Sequence, residues 1–251
     1  MAIKDGKLFH ARDGRAVLRE VFNQRDSNLE LLSLAELEIV DARSTSFCHK
    51  REEVLAFNLA GPARVLIEGV EYAMEHYDVL YVPRGAEYLV EAGPEPAKLY
   101  LYRALAEKEH PVQLRRWAEV KEDGSRLRLL PRKRVYKVFD VEEEADRFMA
   151  GYTFYDDRSR AWPPHNHTDQ EECYSIIEGS GAMQVYEDDE RLTFVKAVDV
   201  GAHVTIPLMN YHPVFSHEEP LCFIWCIAGE RYWVGDKDKS FMDGSSRKVT
   251  T

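Results

Sequence analysis

Two series of short apolar runs, one in each half of the chain, most constrain what this sequence can fold into. The first comprises EEVLAFNLAG (52–61), ARVLIEG (63–69), DVLYVPRG (78–85) and AEYLVEAG (86–93). The second comprises FMAGYTFYDD (148–157), EECYSIIEGSG (171–181), AMQVYED (182–188), VTIPL (204–208) and LCFIWCIAG (221–229). Each run is rich in Val, Ile, Leu, Tyr and Phe and is bounded by Gly, Pro or Asp, so each reads as a strand. Helical signal is thin: SLAELEIVDA (33–42) and PVQLRRWAEV (111–120) are the two ambiguous segments. Regularly spaced short strands with turn signals predict an all-β sandwich or barrel.

The two series share one plan. Gly61 and Gly179 are 118 positions apart, and Pro83 and Pro207 are 124 apart, each close to half of the 251 residues. Two tandem β-domains of one fold are therefore expected. The expected division is an N-terminal domain over 1–110, a linker over 111–134 and a C-terminal domain over 135–251. The linker stretch is charge-rich and contains Pro111, Gly124 and Pro131, and the run PRKR (131–134) reads as its surface.

Composition narrows the function classes. With 33 Lys and Arg against 44 Asp and Glu, the formal charge is −11. A general nucleic-acid binder needs a basic face to neutralise phosphates, so none is expected as a partner. The longest apolar run, Leu221 to Gly229, is too short to span a bilayer. The start of the chain shows no apolar signal core. Cys48, Cys173, Cys222 and Cys226 are scattered without a CxxC pair, which suits a reduced, cytoplasmic protein.

The chemistry concentrates in WPPHNHTDQEECYSIIEG (162–179). On an extended segment His165 and His167 project to one face and can hold one metal ion. Four residues separate His167 from Glu172, and six separate Glu172 from Gly179. Downstream, IPLMNYHPV (206–214) adds His212, five residues after Pro207. An isolated histidine is ordinarily structural, but this spacing satisfies several constraints at once. Three imidazole nitrogens and one carboxylate suit a divalent transition metal with positions left open for substrate. Glu171 is expected on the opposite face of the strand.

This pattern resembles the two histidine motifs of the cupin superfamily, a small double-sheet jelly roll. The first motif is matched by His165, His167, Glu172 and Gly179, the second by Gly201, Pro207 and His212. Met209 stands where glycine is usual, and Ser216 where asparagine is usual. Two cupins in one short chain, with WPPHNH and NYHPV in the second, further resemble the uronate isomerases of the inositol and pectin pathways (5-deoxy-glucuronate and 5-keto-4-deoxyuronate isomerases). HKREEVLAFNLAGPARVLIEG (49–69) and ERYWVGDKDKSF (230–241) add to that likeness.

The resemblance implies a metal-dependent aldose–ketose isomerase of a deoxyuronate acting through a metal-stabilised enediolate. It implies zinc or a similar ion, with manganese, iron or nickel open on ligand type alone, and a homodimer or higher oligomer. Among the second half's residues, Glu172, Tyr174 and Tyr211 are candidates for acid–base work. A sugar-acid substrate needs a cation, and Arg231, following the last strand, is the candidate; Gln184 is a candidate substrate contact. Arg160 reads as surface. In the first half, Phe47 and His49 stand at the HxH position, Glu53 near the carboxylate position, and Pro83, Gly85 and Tyr88 at the second motif. That copy is expected to lack two of four ligands and bind no metal, with His49 and Glu53 forming a hydrogen-bonded pair or pocket wall. Two competing readings are an iron cupin dioxygenase, favoured by the aromatics Trp162, Phe215 and Trp225, and a non-catalytic sugar- or metal-binding cupin.

Overall fold

The computed structural model describes residues 7–10, 16–159, 165–188 and 191–233. Arg160 and Trp162 lie outside these residues, as does the chain after Trp233. Among the described residues the chain is nearly all β, in two halves that repeat one arrangement. The large sheet of the first half runs Lys7–His10, Ala16–Phe22, Leu32–Ile39, Ala97–Leu105, Glu52–Ala60, Val79–Val82 and Gln113–Arg115. The large sheet of the second runs Leu127–Leu130, Lys133–Phe139, Phe148–Tyr155, Leu221–Gly229, Gln170–Glu178 and His203–Ile206. A smaller sheet accompanies each. In the first half it is built around Glu87–Ala92 and Ala63–Ile67, in the second around Ser180–Asp188, Arg191–Asp199 and Val214–Ser216. Each half is thus a double-sheet jelly roll.

Both ambiguous segments resolve through pairing. SLAELEIVDA becomes the strand Leu32–Ile39, hydrogen-bonded on both sides, to Ala16–Phe22 and to Ala97–Leu105. The stretch 111–134 supplies structure to both halves. Gln113–Arg115 pairs with Val79–Val82, the helix Trp117–Glu122 follows, and Leu127–Leu130 pairs with Lys133–Phe139. That six-residue helix is far too short to cross a membrane, and no described helix is long and apolar enough to do so.

The central strands of the large sheets are buried on both faces. In Glu52–Ala60, Val54 and Ala56 fill the interior of the first barrel, while Leu55 and Phe57 face the second half. In Leu221–Gly229, Leu221, Phe223, Trp225 and Ile227 fill the second barrel, while Ile224, Cys226 and Ala228 face the first half. The two large sheets therefore stack against each other through a third apolar layer, with Phe57, Tyr102, Phe148 and Tyr152 among its largest members. This explains why these runs read as continuously apolar rather than alternating. Each fully buried side chain of this size contributes roughly 1.5–3 kcal/mol.

The polar groups trapped in that layer are paired across it. Glu171 leaves its strand toward the first half and accepts from the backbone N–H groups of Glu30, Leu31 and Leu32 at 2.5, 2.8 and 3.1 Å. Glu53 does the reciprocal thing, accepting from Asp146 N–H at 2.9 Å, Arg147 N–H at 2.7 Å and the Tyr81 hydroxyl at 2.8 Å. A second network joins Glu36 of the first half to His203 Nε2 (3.1 Å), and His203 Nδ1 to Ser175 Oγ (2.7 Å), which also contacts the Tyr102 hydroxyl. Arg19 closes it on Glu36.

The turns shared by the halves have one physical cause. Gly61 and Gly179 adopt φ of +63° and +73°. A Cβ there would lie 2.2 Å from the carbonyl oxygen of Pro96 and 1.9 Å from that of Pro220. Only glycine fits both the backbone conformation and the close approach.

Candidate metal centre

His165 and His167 sit just before the strand Gln170–Glu178, and that strand carries Glu172 on its barrel-facing side with Tyr174 and Ile176. His212 arrives from the turn between His203–Ile206 and Val214–Ser216. The ligand atoms of His165, His167, Glu172 and His212 all lie within 4.8 Å of one another. His212 Nε2 is 2.9 Å and His167 Nε2 3.4 Å from Glu172 Oε2. The four groups are buried or nearly so, and His212 is 1% exposed.

The donor atoms behave as a metal site requires. His167 Nδ1 and Nε2, Glu172 Oε2 and His212 Nε2 are buried without a hydrogen-bond partner. Buried polar atoms normally find partners, so several orphans converging on one point mark a place for a cation. His212 Nδ1 lies 2.9 Å from the carbonyl oxygen of Asn210. Its N–H is thereby committed to that acceptor, leaving the Nε2 lone pair toward the cluster. Burial would raise the Glu172 pKa, but the facing His212 and His167 outweigh it and hold the carboxyl at about 2. His165 is pushed well below the ordinary imidazole range, first by burial, then by His212 and His167, and further by Lys133 and Arg128. An ionised carboxylate and a neutral imidazole are the forms that ligate.

The structure treats the other expected site residues unequally. Tyr174 is beside the cluster: its ring stands edge-on to His212 at 5.4 Å and stacks on Phe223 at 4.5 Å. Its phenol is pushed well above the ordinary value, by burial first and then by Glu172. Tyr211 packs its ring on Tyr186 at 5.3 Å, and the two residues exchange backbone hydrogen bonds of 3.0 and 2.7 Å. It anchors the turn that carries His212.

Gln184 and Arg231 do not stand where they were expected. Met183 and Val185 fill the barrel, so Gln184 between them faces outward, opposite the exposed Val195. The apolar pair flanking Gln184 was the signal that sets its facing. Arg231 spends its guanidinium on the carbonyl oxygens of Phe148 (3.0 Å), Ala145 (3.0 Å) and Asp140. It lines a surface groove with Glu107, Lys108, Asp146 and Arg147, and braces the chain there.

The first half corrects two further expectations. Glu172 is paired with Ile206 across its ladder, and the residue paired with the corresponding Val82 is Val54. Val54, not Glu53, occupies the carboxylate position. Glu53 matches Glu171, and His49 is approached by Glu52 (3.5 Å) and the Tyr88 hydroxyl (3.3 Å) instead. Phe47, His49, Val54 and Tyr88 therefore stand for His165, His167, Glu172 and His212. One ligand type of four survives, not two.

Sequence reasoning missed Lys133 entirely. Its strand pairs Lys133 with Tyr155, whose ring lies in the second barrel, and the amine sits 5.4 Å from that ring. Lys133 is 8% exposed, and burial followed by the neighbouring Arg128 brings its pKa down to about 8. The signal was the repeat itself: KRVYKVF (133–139) aligns with AVLREVF (16–22), a strand of the first sheet.

Two stacked jelly rolls with a three-histidine, one-carboxylate centre in one of them define a two-domain cupin. An IolB-like protein from Salmonella typhimurium has this fold, with a TM-score of 0.75 at 18% identity over 92% of this chain and 94% of that one. Oxalate decarboxylase from Lactobacillus farciminis shares it too, with a TM-score of 0.73 at 16% identity over 92% and 86%. The KduI/IolB family model matches residues 7–243, and the chain belongs to that family. Curated relatives include proteins named 4-deoxy-L-threo-5-hexosulose-uronate ketol-isomerase. The one from Bacillus licheniformis is 25% identical over 244 residues, covering 92% of this chain and 84% of the relative. The one from Bacillus pumilus is 26% identical over 253 residues, covering 94% and 86%.

Proposed function

We propose that this protein is a divalent-metal ketol-isomerase that interconverts the aldose and ketose forms of a deoxyuronate. The carrying observation is the convergence of His165, His167, Glu172 and His212 on one buried point, where donor atoms of the last three are orphaned. The KduI/IolB membership and the relatives' names support the reaction class. The ligand types admit zinc, manganese, iron or nickel. We assign zinc, because a ketol isomerisation changes no oxidation state of the metal. A division into two domains is supported by the way the two large sheets divide the strands, with Gln113–Arg115 in the first sheet and Leu127–Leu130 in the second, so each domain reaches into the 111–134 stretch expected as a linker.

His165, His167, Glu172 and His212 would hold the ion, which when bound supplies a Lewis acid that polarises the substrate carbonyl. The chain's own part is proton transfer. Glu172 and Tyr174 are two apart on one strand and project to the same face, Tyr174 edge-on to His212. A carboxylate is the natural base of such a pair, and a phenol that burial keeps protonated is the natural acid. Glu172 takes the proton from the carbon next to the carbonyl and returns it to the former carbonyl carbon. Tyr174 donates to the carbonyl oxygen and recovers a proton from the neighbouring hydroxyl oxygen. The C–H bond broken at one carbon is replaced by one formed at the next, so no oxidant or reductant enters.

The test is an NMR assay of the zinc-loaded protein on a panel of deoxyuronates, with oxygen uptake followed in parallel. Isomerisation of a panel member without oxygen consumption is the expected result. Turnover of none of them, or oxygen consumption with an aromatic diol, overturns the reading.

A further inference from the structure

We propose that Lys133, with Arg128 beside it on the adjoining strand, forms the subsite that binds the substrate's carboxylate. The inference rests on the isomerase reading for the identity of the ligand, and on geometry for the site. A uronate carries its reacting carbonyl and its carboxylate at opposite ends of the carbon chain. An enzyme that holds the carbonyl at the metal needs a cation some distance away in the same cavity. The acidic chain, at −11, makes such a cation necessary rather than incidental.

The register turns both side chains toward the second barrel, with Lys133 buried within it and Arg128 exposed on its edge strand. Lys133 is opposite Tyr155, a member of that barrel's core, and Arg128 is opposite Val135, which packs against the same core. Directly opposed residues of an antiparallel pair project to one face. From Lys133, ring contacts lead to the ligand cluster: the amine over Tyr155, Tyr155 against Phe223 at 5.5 Å, Phe223 on Tyr174, and Tyr174 edge-on to His212. The charges of both cations reach His165.

The first half is an internal control. The residue at the position of Lys133 is Ala16, opposite Ile39 as Lys133 is opposite Tyr155. Both are fully buried in the apolar core of the first barrel. The copy that lost three of the four ligand types carries no cation at this position. A lysine needed only to build the fold would have no reason to appear solely in the half that carries the metal centre.

The experiment uses the zinc-loaded, full-length protein and its Lys133→Met, Lys133→Arg and Arg128→Met variants. Binding of D-glucuronate is measured by calorimetry, with D-glucose as the neutral control, and steady-state kinetics follow on the deoxyuronate that the wild type turns over. Removing one partner of a charge-assisted contact costs about tenfold or more in affinity. Lys133→Met is expected to weaken glucuronate binding and raise KM by about that factor. Glucose binding, zinc content and kcat should stay near wild type. Lys133→Arg should recover most of the loss, and Arg128→Met should show a smaller defect of the same kind. Unfolding curves and zinc content identify a variant that has lost its fold, and Lys133→Arg then serves with Arg128→Met as the deciding pair.

Unchanged glucuronate binding in Lys133→Met overturns the subsite, as does a loss confined to kcat that arginine fails to rescue. Absence of any glucuronate binding by the wild type overturns it as well. Lys133-dependent binding by a wild type that isomerises no uronate would sink the reaction and keep the subsite. Isomerisation that is indifferent to Lys133 would do the reverse.

Discussion

The two halves of this molecule are built alike and equipped differently. Their large sheets share strand order and pairing, the turns at Gly61 and Gly179 share a left-handed backbone, and Glu53 and Glu171 each reach across to cap backbone N–H groups of the other half. What differs is the lining of the barrels. His165, Glu172, His212 and Lys133 in the second half occupy the positions that Phe47, Val54, Tyr88 and Ala16 hold in the first. Substitutions there exchange polar donors for apolar bulk without touching a ladder hydrogen bond. The comparison teaches that the fold constrains the sheet-stacking face and the turns in both copies, while the barrel lining is free to carry chemistry or plain packing.

The largest effect should come from breaking that difference. His212→Ala should strip the metal and lower activity by about a hundredfold or more, because an open-sided site tolerates the loss of a ligand poorly. His49→Ala, the matching change in the first half, should leave metal content and activity near wild type. Metal analysis on both variants checks the pair, and equal losses would erase the distinction between the copies.

The shared part of the comparison is tested by Glu171→Ala, which leaves the N–H groups of Glu30, Leu31 and Leu32 without their acceptor. A loss of about 3 kcal/mol or more is expected in urea unfolding. Glu53→Ala should cost a comparable amount, since it strands two N–H groups and the Tyr81 hydroxyl. A small effect in either would mean that the halves are held by apolar stacking alone.

Acid should loosen the same interface. Burial keeps His203 below its ordinary 6.5, against the pull of Glu36. The unfolded chain therefore binds that proton first, and stability should fall as pH drops below about 6.5. Burial would raise Glu36, but the His203 hydrogen bond and charge, with Lys98 and Arg19, outweigh it and hold the carboxyl at about 2 rather than 4.5. Its contribution is present above 4.5 and is lost as pH falls toward 2. Melting temperatures from pH 8 downward should decline in both windows, and His203→Gln should flatten the upper one.

The smallest expected effect concerns a turn that the halves execute with different residues. Gly85 has φ +80°, and Met209, at the matching position, has φ +63°. A side chain in that region costs about 1 kcal/mol. Met209→Gly should stabilise the protein by about that amount in urea unfolding, with the metal content unchanged.

Much of this was legible in the chain because it is local. The strand runs at 52–61, 63–69, 148–157 and 221–229 appear as Glu52–Ala60, Ala63–Ile67, Phe148–Tyr155 and Leu221–Gly229. The spacing of His165, His167, Glu172 and His212 identified a group that the fold does bring together. The sequence by itself determined the repeat, the strands and the donor set, since each depends on residue type at short, fixed separations. Tertiary structure alone decided facing. Strands buried on two sides lose the alternation that tells inside from outside. Glu53 and Val54 could therefore not be ranked for the carboxylate position until the pairing of Val54 with Val82 was seen. Arg231 looked available until the backbone carbonyls of Asp140, Ala145 and Phe148 claimed it. Lys133 looked like linker surface until its strand paired with Phe148–Tyr155 and carried the amine into the second barrel. Pairing between distant strands sets which way each side chain points, and no local pattern contains that register.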